Sequence, residues 1–163
     1  MQTLLSLAGQ LGERLRSRHE TVAVAESSAG GLIAAALLAQ AGASEFFLGG
    51  AVVYTRQARE ALLGITAAEM DGMRSASEPY ALLLARRLRE RLGATWGLAE
   101  TGAAGPSGNR YGDAPGHACF AVSGPFEAVR TIETGFNDRQ GNMRIFASSA
   151  LTLFDGRLRA LPA

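Results

Sequence analysis

Lysine is missing from this chain: all sixteen of its basic residues are arginine. A guanidinium stays protonated at ordinary pH, so no basic side chain of this chain can act as a neutral amine. The absence excludes Schiff-base catalysis, attachment of pyridoxal phosphate, the lysine of a phosphate-binding P-loop and a serine–lysine catalytic pair.

Cysteine and histidine are scarce. The single Cys119 cannot form an internal disulfide, and with only His19 and His117 we expect no metal site and no metal cofactor. The first thirteen residues carry no basic residue, and the longest apolar run, residues 32–39, is far shorter than the ~20 residues that span a bilayer. We therefore expect no targeting segment, no membrane partner and a cytoplasmic location.

Excess charge of either sign is absent too. Sixteen basic and fifteen acidic residues give a formal net charge of +1, which is too balanced for a nucleic-acid-binding surface. The chain has 163 residues, 47% of them hydrophobic, which suits one soluble domain over residues 1–163. The expected partner is therefore a small molecule.

Predicted strands and helices alternate in the first two thirds of the chain, and two strands with the composition of a hairpin follow. The helices are predicted up to about residue 18 and over 32–40, 56–63, 66–73, 77–92 and 138–153, and the strands over 21–25, 51–54, 95–99, 117–122 and 127–133. This order predicts a single three-layer α/β/α domain with a mixed, mostly parallel sheet and a late β-hairpin.

Three segments follow predicted strands, where ligands bind in open α/β sheets: 26–31, 54–59 and 100–108. A serine between a strand and a helix is a candidate nucleophile or phosphate ligand, but Ser27 or Ser28 could also simply cap the helix. The glycines of 102–108 allow close backbone approach to a ligand, or only a turn. Tyr54 and His117 have chemical uses, yet each is also a common packing residue.

Several short motifs match those of one known family in the same order. Residues 25–31 read Ala-Glu-Ser-Ser-Ala-Gly-Gly where that family has Ala-Glu-Ser-Cys-Thr-Gly-Gly, and residues 101–106 read Thr-Gly-Ala-Ala-Gly-Pro where it has Thr-Gly-Ile-Ala-Gly-Pro. Further matches lie at 54–59, 76–78, 115–117 and 137–139. Over about residues 5–155 the chain resembles the CinA C-terminal family, known as nicotinamide mononucleotide deamidases of the PncC type.

The resemblance implies hydrolysis of nicotinamide mononucleotide to nicotinic acid mononucleotide and ammonia, without a metal or an organic cofactor. It makes Ser27 the nucleophile, with Tyr54 steadying the oxyanion, and it places Arg139 against the nucleotide phosphate. It also implies a homodimer and a nucleotide or phosphorylated amide as ligand. The remaining substrate-binding residues it suggests are Glu26, Gly30, Gly31, Thr101, Gly102, Gly105 and Pro106.

The family's catalytic lysine corresponds here to Arg59, and Ala29 and Arg56 replace its threonine and asparagine. Arginine cannot serve as a neutral base, and losing general-base help costs roughly 10²–10⁴-fold in rate. Three hypotheses follow. The chain is a weak deamidase whose substitute base is His117 or Glu26, a non-catalytic binder of a phosphorylated ligand, or a hydrolase of a different acidic amide selected by its arginines.

Overall fold

Apolar residues at helical spacing form the first helix, α1 (Gln2–Ser17), in the computed structural model, which describes residues 2–162. The buried face of α1 carries Leu4, Leu11 and Leu15 and packs against the last helix, α5 (Arg139–Arg159). Within residues 2–162, no helix is both long enough and apolar enough to cross a membrane.

Five strands form one mixed sheet in the order β2-β1-β3-β4-β5. β1 pairs in parallel with β2 and β3, whereas β3–β4 and β4–β5 are antiparallel. The predicted late hairpin is confirmed as β4 and β5, and the predicted mixed sheet divides evenly between parallel and antiparallel pairings. The strands are β1 (Val22–Glu26), β2 (Phe47–Val52), β3 (Trp96–Ala103), β4 (His117–Ser123) and β5 (Ala128–Glu133).

Helices cover both faces of the sheet, as predicted for a three-layer domain. One core joins α1, α2 (Leu32–Leu38) and α5 to the face that carries Trp96 and Phe120. The other core joins α3 (Arg56–Leu63) and α4 (Glu78–Leu92) to the opposite face. A short 3-10 helix, Ala43–Glu45, precedes β2.

The glycine-rich stretch after the third strand begins later than predicted. Thr101 and Gly102 belong to β3, which pairs with β4 up to Ala103. A Cβ on Gly102 would lie 2.4 Å from the carbonyl oxygen of His117, so the missing side chain is what allows this close pairing. The strand therefore continues through Gly102. Local pattern does not predict this, because the partner strand β4 is distant in sequence.

The prediction of a short helix over 66–73 is wrong, because this segment forms consecutive turns. The Thr66 hydroxyl accepts from the Glu69 N–H, and the Glu69 carboxylate accepts from the Thr66 N–H. This reciprocal pair is a capping box, but the backbone bonds that follow it span only three residues, as in turns, and Gly72 then adopts a positive φ of 72° and ends the run. The segment crosses the end of the sheet as a loop.

Candidate functional site

The turn after β1 is organised by the carboxylate of Glu26. Its oxygens accept hydrogen bonds from the backbone N–H groups of Gly31, Ile33 and Ala34, at 3.0, 3.1 and 2.8 Å. Glu26 thus satisfies the free N–H groups at the start of α2, where the helix dipole favours negative charge. The alternative that Ser27 or Ser28 caps α2 is wrong.

Glu26 is buried and engaged with backbone. Burial raises the pKa of its carboxyl, while the three backbone hydrogen bonds act in the opposite direction. Its carboxyl does not line the pocket described below. The structure therefore gives no support to Glu26 as the substitute base.

A second acid, Glu100 on β3, holds the serines themselves. One of its oxygens accepts from the N–H groups of Ser27 and Ala29, at 3.0 and 2.8 Å, and the other accepts from the Ser28 hydroxyl. Complete burial raises the pKa of Glu100 to about 7, although these hydrogen bonds lower it. Sequence reasoning did not single out Glu100; its one signal was an acid at the end of an apolar strand.

A pocket of about 800 Å³ opens at the carboxyl ends of the parallel strands. It brings together five residues predicted from the sequence: Ser27, Tyr54, Arg59, Thr101 and Gly102. Two other segments contribute walls that sequence reasoning did not place there, the loop 70–76 before α4 and the loop 109–111 after β3. The pocket is where a ligand would meet the half-buried Ser27.

Six other predicted site residues lie near the pocket but do not line it: Glu26, Gly30, Gly31, Gly105, Pro106 and Arg139. Gly30 and Gly31 have φ values of 67° and 96°, which the tight entry into α2 requires. They shape the turn that carries Ser27 and Ser28 without lining the pocket. Their roles in binding a substrate stay predictions.

Arg139 connects Tyr54 to the loop after β3. Its Nη2 donates to the Tyr54 hydroxyl oxygen at 3.1 Å and its Nη1 donates to the carbonyl oxygen of Gly105 at 2.5 Å. Because the hydroxyl oxygen accepts from arginine, the phenolic proton is left to donate elsewhere. Arg139 thus acts here on Tyr54, and its contact with a phosphate stays a prediction.

Arg59 on α3 is only 6% exposed, although it carries a full positive charge. Among residues 2–162, its Nε has no hydrogen-bond partner and its guanidinium forms no ion pair. The guanidinium carbon lies 5.6 Å from the centre of the Tyr80 ring. A buried cation therefore faces the pocket without an acid beside it.

His117, the other suggested substitute base, is engaged through both ring nitrogens. Its Nε2 bonds the carbonyl oxygen of Ala76 at 2.8 Å, and its Nδ1 bonds Glu133. Burial lowers the pKa of His117, but Glu133, Ala76 and the charge of Asp113 outweigh it and raise that pKa. His117 does not line the pocket and holds the segment before α4, so the structure does not support it as the base.

The His117 interaction reaches the pocket through Ala76. The backbone N–H of Ala76 donates to the Thr101 hydroxyl oxygen at 3.3 Å, and Ala76 has a positive φ of 55°. Thr101 thereby fixes the loop that forms one wall. In the part of the chain that the structure describes, no three His, Cys, Asp or Glu residues are arranged to hold a metal ion.

Comparison with known proteins shows what the chain is similar to. The model of the CinA C-terminal domain matches residues 4–158. A CinA-like protein of Prochlorococcus marinus is 38% identical over 156 residues, covering 96% of this chain and 36% of that protein. One of Desulfosudis oleivorans is 39% identical over 149 residues, covering 90% and 36%. This chain thus spans about a third of the length of these curated relatives.

Solved structures with the same fold include two bacterial proteins. The competence-damaged protein (CinA) superfamily protein of Escherichia coli is 27% identical with a TM-score of 0.87, covering 93% of this chain and 89% of that one. The competence/damage inducible protein of Agrobacterium tumefaciens is 27% identical with a TM-score of 0.88, covering 96% of each chain.

Proposed function

This chain belongs to the CinA C-terminal domain family, and on that premise we propose that its pocket hydrolyses the carboxamide of nicotinamide mononucleotide, slowly, to give nicotinic acid mononucleotide and ammonia. One observation carries the proposal. Ser27 lies in the wall of an open pocket, on a turn that Glu100 fixes through the Ser27 N–H.

In the proposed reaction the Ser27 hydroxyl oxygen bonds to the carboxamide carbon, and the C–N bond then breaks. The hydroxyl proton ends on the leaving nitrogen, which departs as ammonia, and water later cleaves the acyl–serine ester to release the acid and restore Ser27. Tyr54 supports this chemistry because its phenolic proton is free to donate to the developing oxyanion.

The rate is expected to be low because none of the bases suggested from the sequence is available to Ser27. By the resemblance of residues 54–59 to the family's motif, Arg59 takes the place of its lysine, and a guanidinium cannot take the serine proton near neutral pH. Glu26 and His117 are engaged elsewhere. Without general-base help we expect a rate roughly 10²–10⁴-fold below that of a site with a neutral lysine.

A second candidate function is binding without hydrolysis. The same pocket favours it: a pocket whose serine has none of the expected bases can still hold a phosphorylated nucleotide, and the charge of Arg59 suits such a ligand. A related candidate is hydrolysis of a different acidic amide, selected by Arg56 and Arg59. The homodimer and the cytoplasmic location stay predictions.

The test is to incubate the purified protein with nicotinamide mononucleotide and to measure both ammonia and the acid product. We expect slow release by the wild type and none by Ser27→Ala. Ser107→Ala, which changes an exposed serine outside the pocket lining, should match the wild type. Unchanged release by Ser27→Ala would refute the role of Ser27, and a silent wild type that still binds the nucleotide would favour the second candidate.

A further inference from the structure

The walls of the pocket carry more positive charge than negative. Four arginines line it, Arg56, Arg59, Arg74 and Arg110, against one acid, Asp71. Arg74 is neutralised by Asp113, which accepts from both of its terminal nitrogens. Arg56 and Arg110 are exposed, so water solvates their charges. Arg59 alone of the four is both buried and without an ion pair among residues 2–162.

Burying a guanidinium is costly unless an acid or a set of hydrogen-bond acceptors replaces the lost water. Arg59 has the aromatic face of Tyr80 nearby, but that phenol supplies no negative charge. Burial raises the pKa of Tyr80 above its usual range, although Arg59 acts against this, so the phenol stays neutral at physiological pH. Among residues 2–162, the fold has therefore placed a mostly buried cation in the pocket wall with no acidic counter-charge and with its Nε unpaired.

We propose that Arg59 is a receptor for an anionic group of the pocket's ligand, a carboxylate or a phosphate, which completes this site only when the ligand binds. The planar guanidinium suits either group, because its parallel N–H donors match two oxygens of a carboxylate or phosphate. The charges of Arg56 and Arg110 would draw such an anion toward the pocket mouth.

The anion has two sources in the ligand class of the proposed function, on which this inference rests for the ligand's identity. Nicotinamide mononucleotide carries only a phosphate, whereas its hydrolysis product also carries a carboxylate. If Arg59 pairs with the phosphate, substrate and product bind similarly. If it pairs with the carboxylate, the acid product binds more tightly than the amide and the pocket retains its product.

The first test needs no knowledge of the ligand. We would compare the melting temperatures of the wild type and Arg59→Met in low-salt buffer, with and without inorganic phosphate or acetate. Without anion, Arg59→Met should melt at the higher temperature, because the variant removes an uncompensated buried charge. Phosphate or acetate should then raise the melting temperature of the wild type and of Arg144→Met, an exposed arginine outside the pocket lining, but not that of Arg59→Met.

A lower melting temperature of Arg59→Met without anion, together with equal responses of both proteins to the anions, would make Arg59 a structural residue and overturn the proposal. So would a wild type that responds to neither anion. Arg59→Lys keeps part of the positive charge but loses the paired donors, so it should retain a weaker response. A weaker but measurable response of Arg59→Lys would show that the response depends on anion binding and not on whether the variant folds.

The second test finds the source of the anion by calorimetry on Ser27→Ala, in which nothing is expected to turn over. Four ligands are compared: nicotinamide mononucleotide, nicotinic acid mononucleotide and the two corresponding ribosides without phosphate. Adding Arg59→Met should weaken by about tenfold or more only the ligands that carry the paired group. Equal affinities for all four ligands with and without Arg59 would overturn the proposal, whereas failure of the proposed hydrolysis would appear separately, as binding without ammonia release.

Discussion

Glu100 and Arg59 are both ionisable residues buried beside the same pocket, yet they differ in the hydrogen-bond partners that the chain gives them. Glu100 receives two backbone N–H groups and one serine hydroxyl, so each of its oxygens has a donor. Arg59 has an aromatic ring beside it, a buried Nε without an acceptor and no ion pair within residues 2–162. The acid is satisfied by the chain, and the cation is not.

The hydrogen bonds of Glu100 are complete in the folded chain, whereas the partners of Arg59 would be supplied by a ligand. Glu100 ties β3 to the turn after β1 and thereby fixes Ser27, which makes it a positioning residue. The Nε of Arg59 makes no hydrogen bond that would hold another segment in place. Its charge lies in the wall of the pocket that a ligand would enter. Removing the Glu100 carboxylate should therefore lower stability, whereas removing the Arg59 guanidinium should raise stability without a ligand and weaken the response to an anion.

The largest effect is expected from Arg59→Lys. Burial lowers the pKa of an amine at this position, so a fraction of the lysine would be neutral and able to take the serine proton. Ammonia release from nicotinamide mononucleotide should rise roughly 10²–10⁴-fold. Arg56→Lys, an exposed residue of the same helix, should give no such gain. A rate no higher than that of the wild type would show that Arg59 does not stand in the place of a base.

Glu100→Ala should lower the free energy of unfolding by about 3 kcal/mol, since three donors, two of them buried, lose their acceptor. Urea denaturation followed by circular dichroism measures this. Glu60→Ala, which changes an exposed acid on α3, should stay close to the wild type. A loss for Glu100→Ala no larger than that of this control would mean that the serine turn does not depend on Glu100.

Stability should also depend on pH through Glu100. The pKa of this carboxyl is about 7 in the folded chain against an ordinary value of 4.5, so the folded state binds its proton more tightly than the unfolded state. Its contribution to stability is full below about pH 4.5 and is lost as the pH rises through about 7, a change of about 3 kcal/mol. Glu100→Gln should flatten this decline.

The comparison of wild type with Glu100→Gln is needed because His117 and Glu26 also have raised pKa values and shift stability in the same direction. Both residues are present in the two proteins, so the difference between their pH profiles isolates Glu100. Identical profiles from pH 4.5 to 8 would contradict a raised pKa at Glu100.

The smallest effect is expected at an exposed pair, Arg86 with Glu127. Their side chains are 49% and 37% exposed, so water already solvates both charges. Arg86→Met should change the free energy of unfolding by about 0.5 kcal/mol or less. A loss as large as that of Glu100→Ala would show that burial is not what distinguishes these charges.

Local pattern was enough to predict much of the fold. Alternating apolar segments predicted the layers and the helix over 77–92. The start of α4 is a local feature too, because the Ser77 hydroxyl accepts from the Tyr80 N–H at 3.3 Å and Pro79 lies in the first turn. The carboxyl ends of the strands also pointed to the pocket and to Ser27, Tyr54 and Arg59.

What local pattern could not predict depends on contacts between distant segments. The role of Glu100 arises because β3 lies beside β1, which places its carboxyl under residues 27–29. The engagement of His117 depends likewise on Ala76, forty-one residues away in the chain. A lone acid or histidine in a sequence carries no sign of such a partner.

The most direct test is the crystal structure of Ser27→Ala with nicotinamide mononucleotide bound. We predict the carboxamide carbon beside position 27 and an anionic oxygen of the ligand within hydrogen-bond distance of the Arg59 guanidinium, so that the ligand supplies the counter-charge of this buried cation. A nucleotide bound outside this pocket, or one that leaves Arg59 without an acceptor, would contradict this.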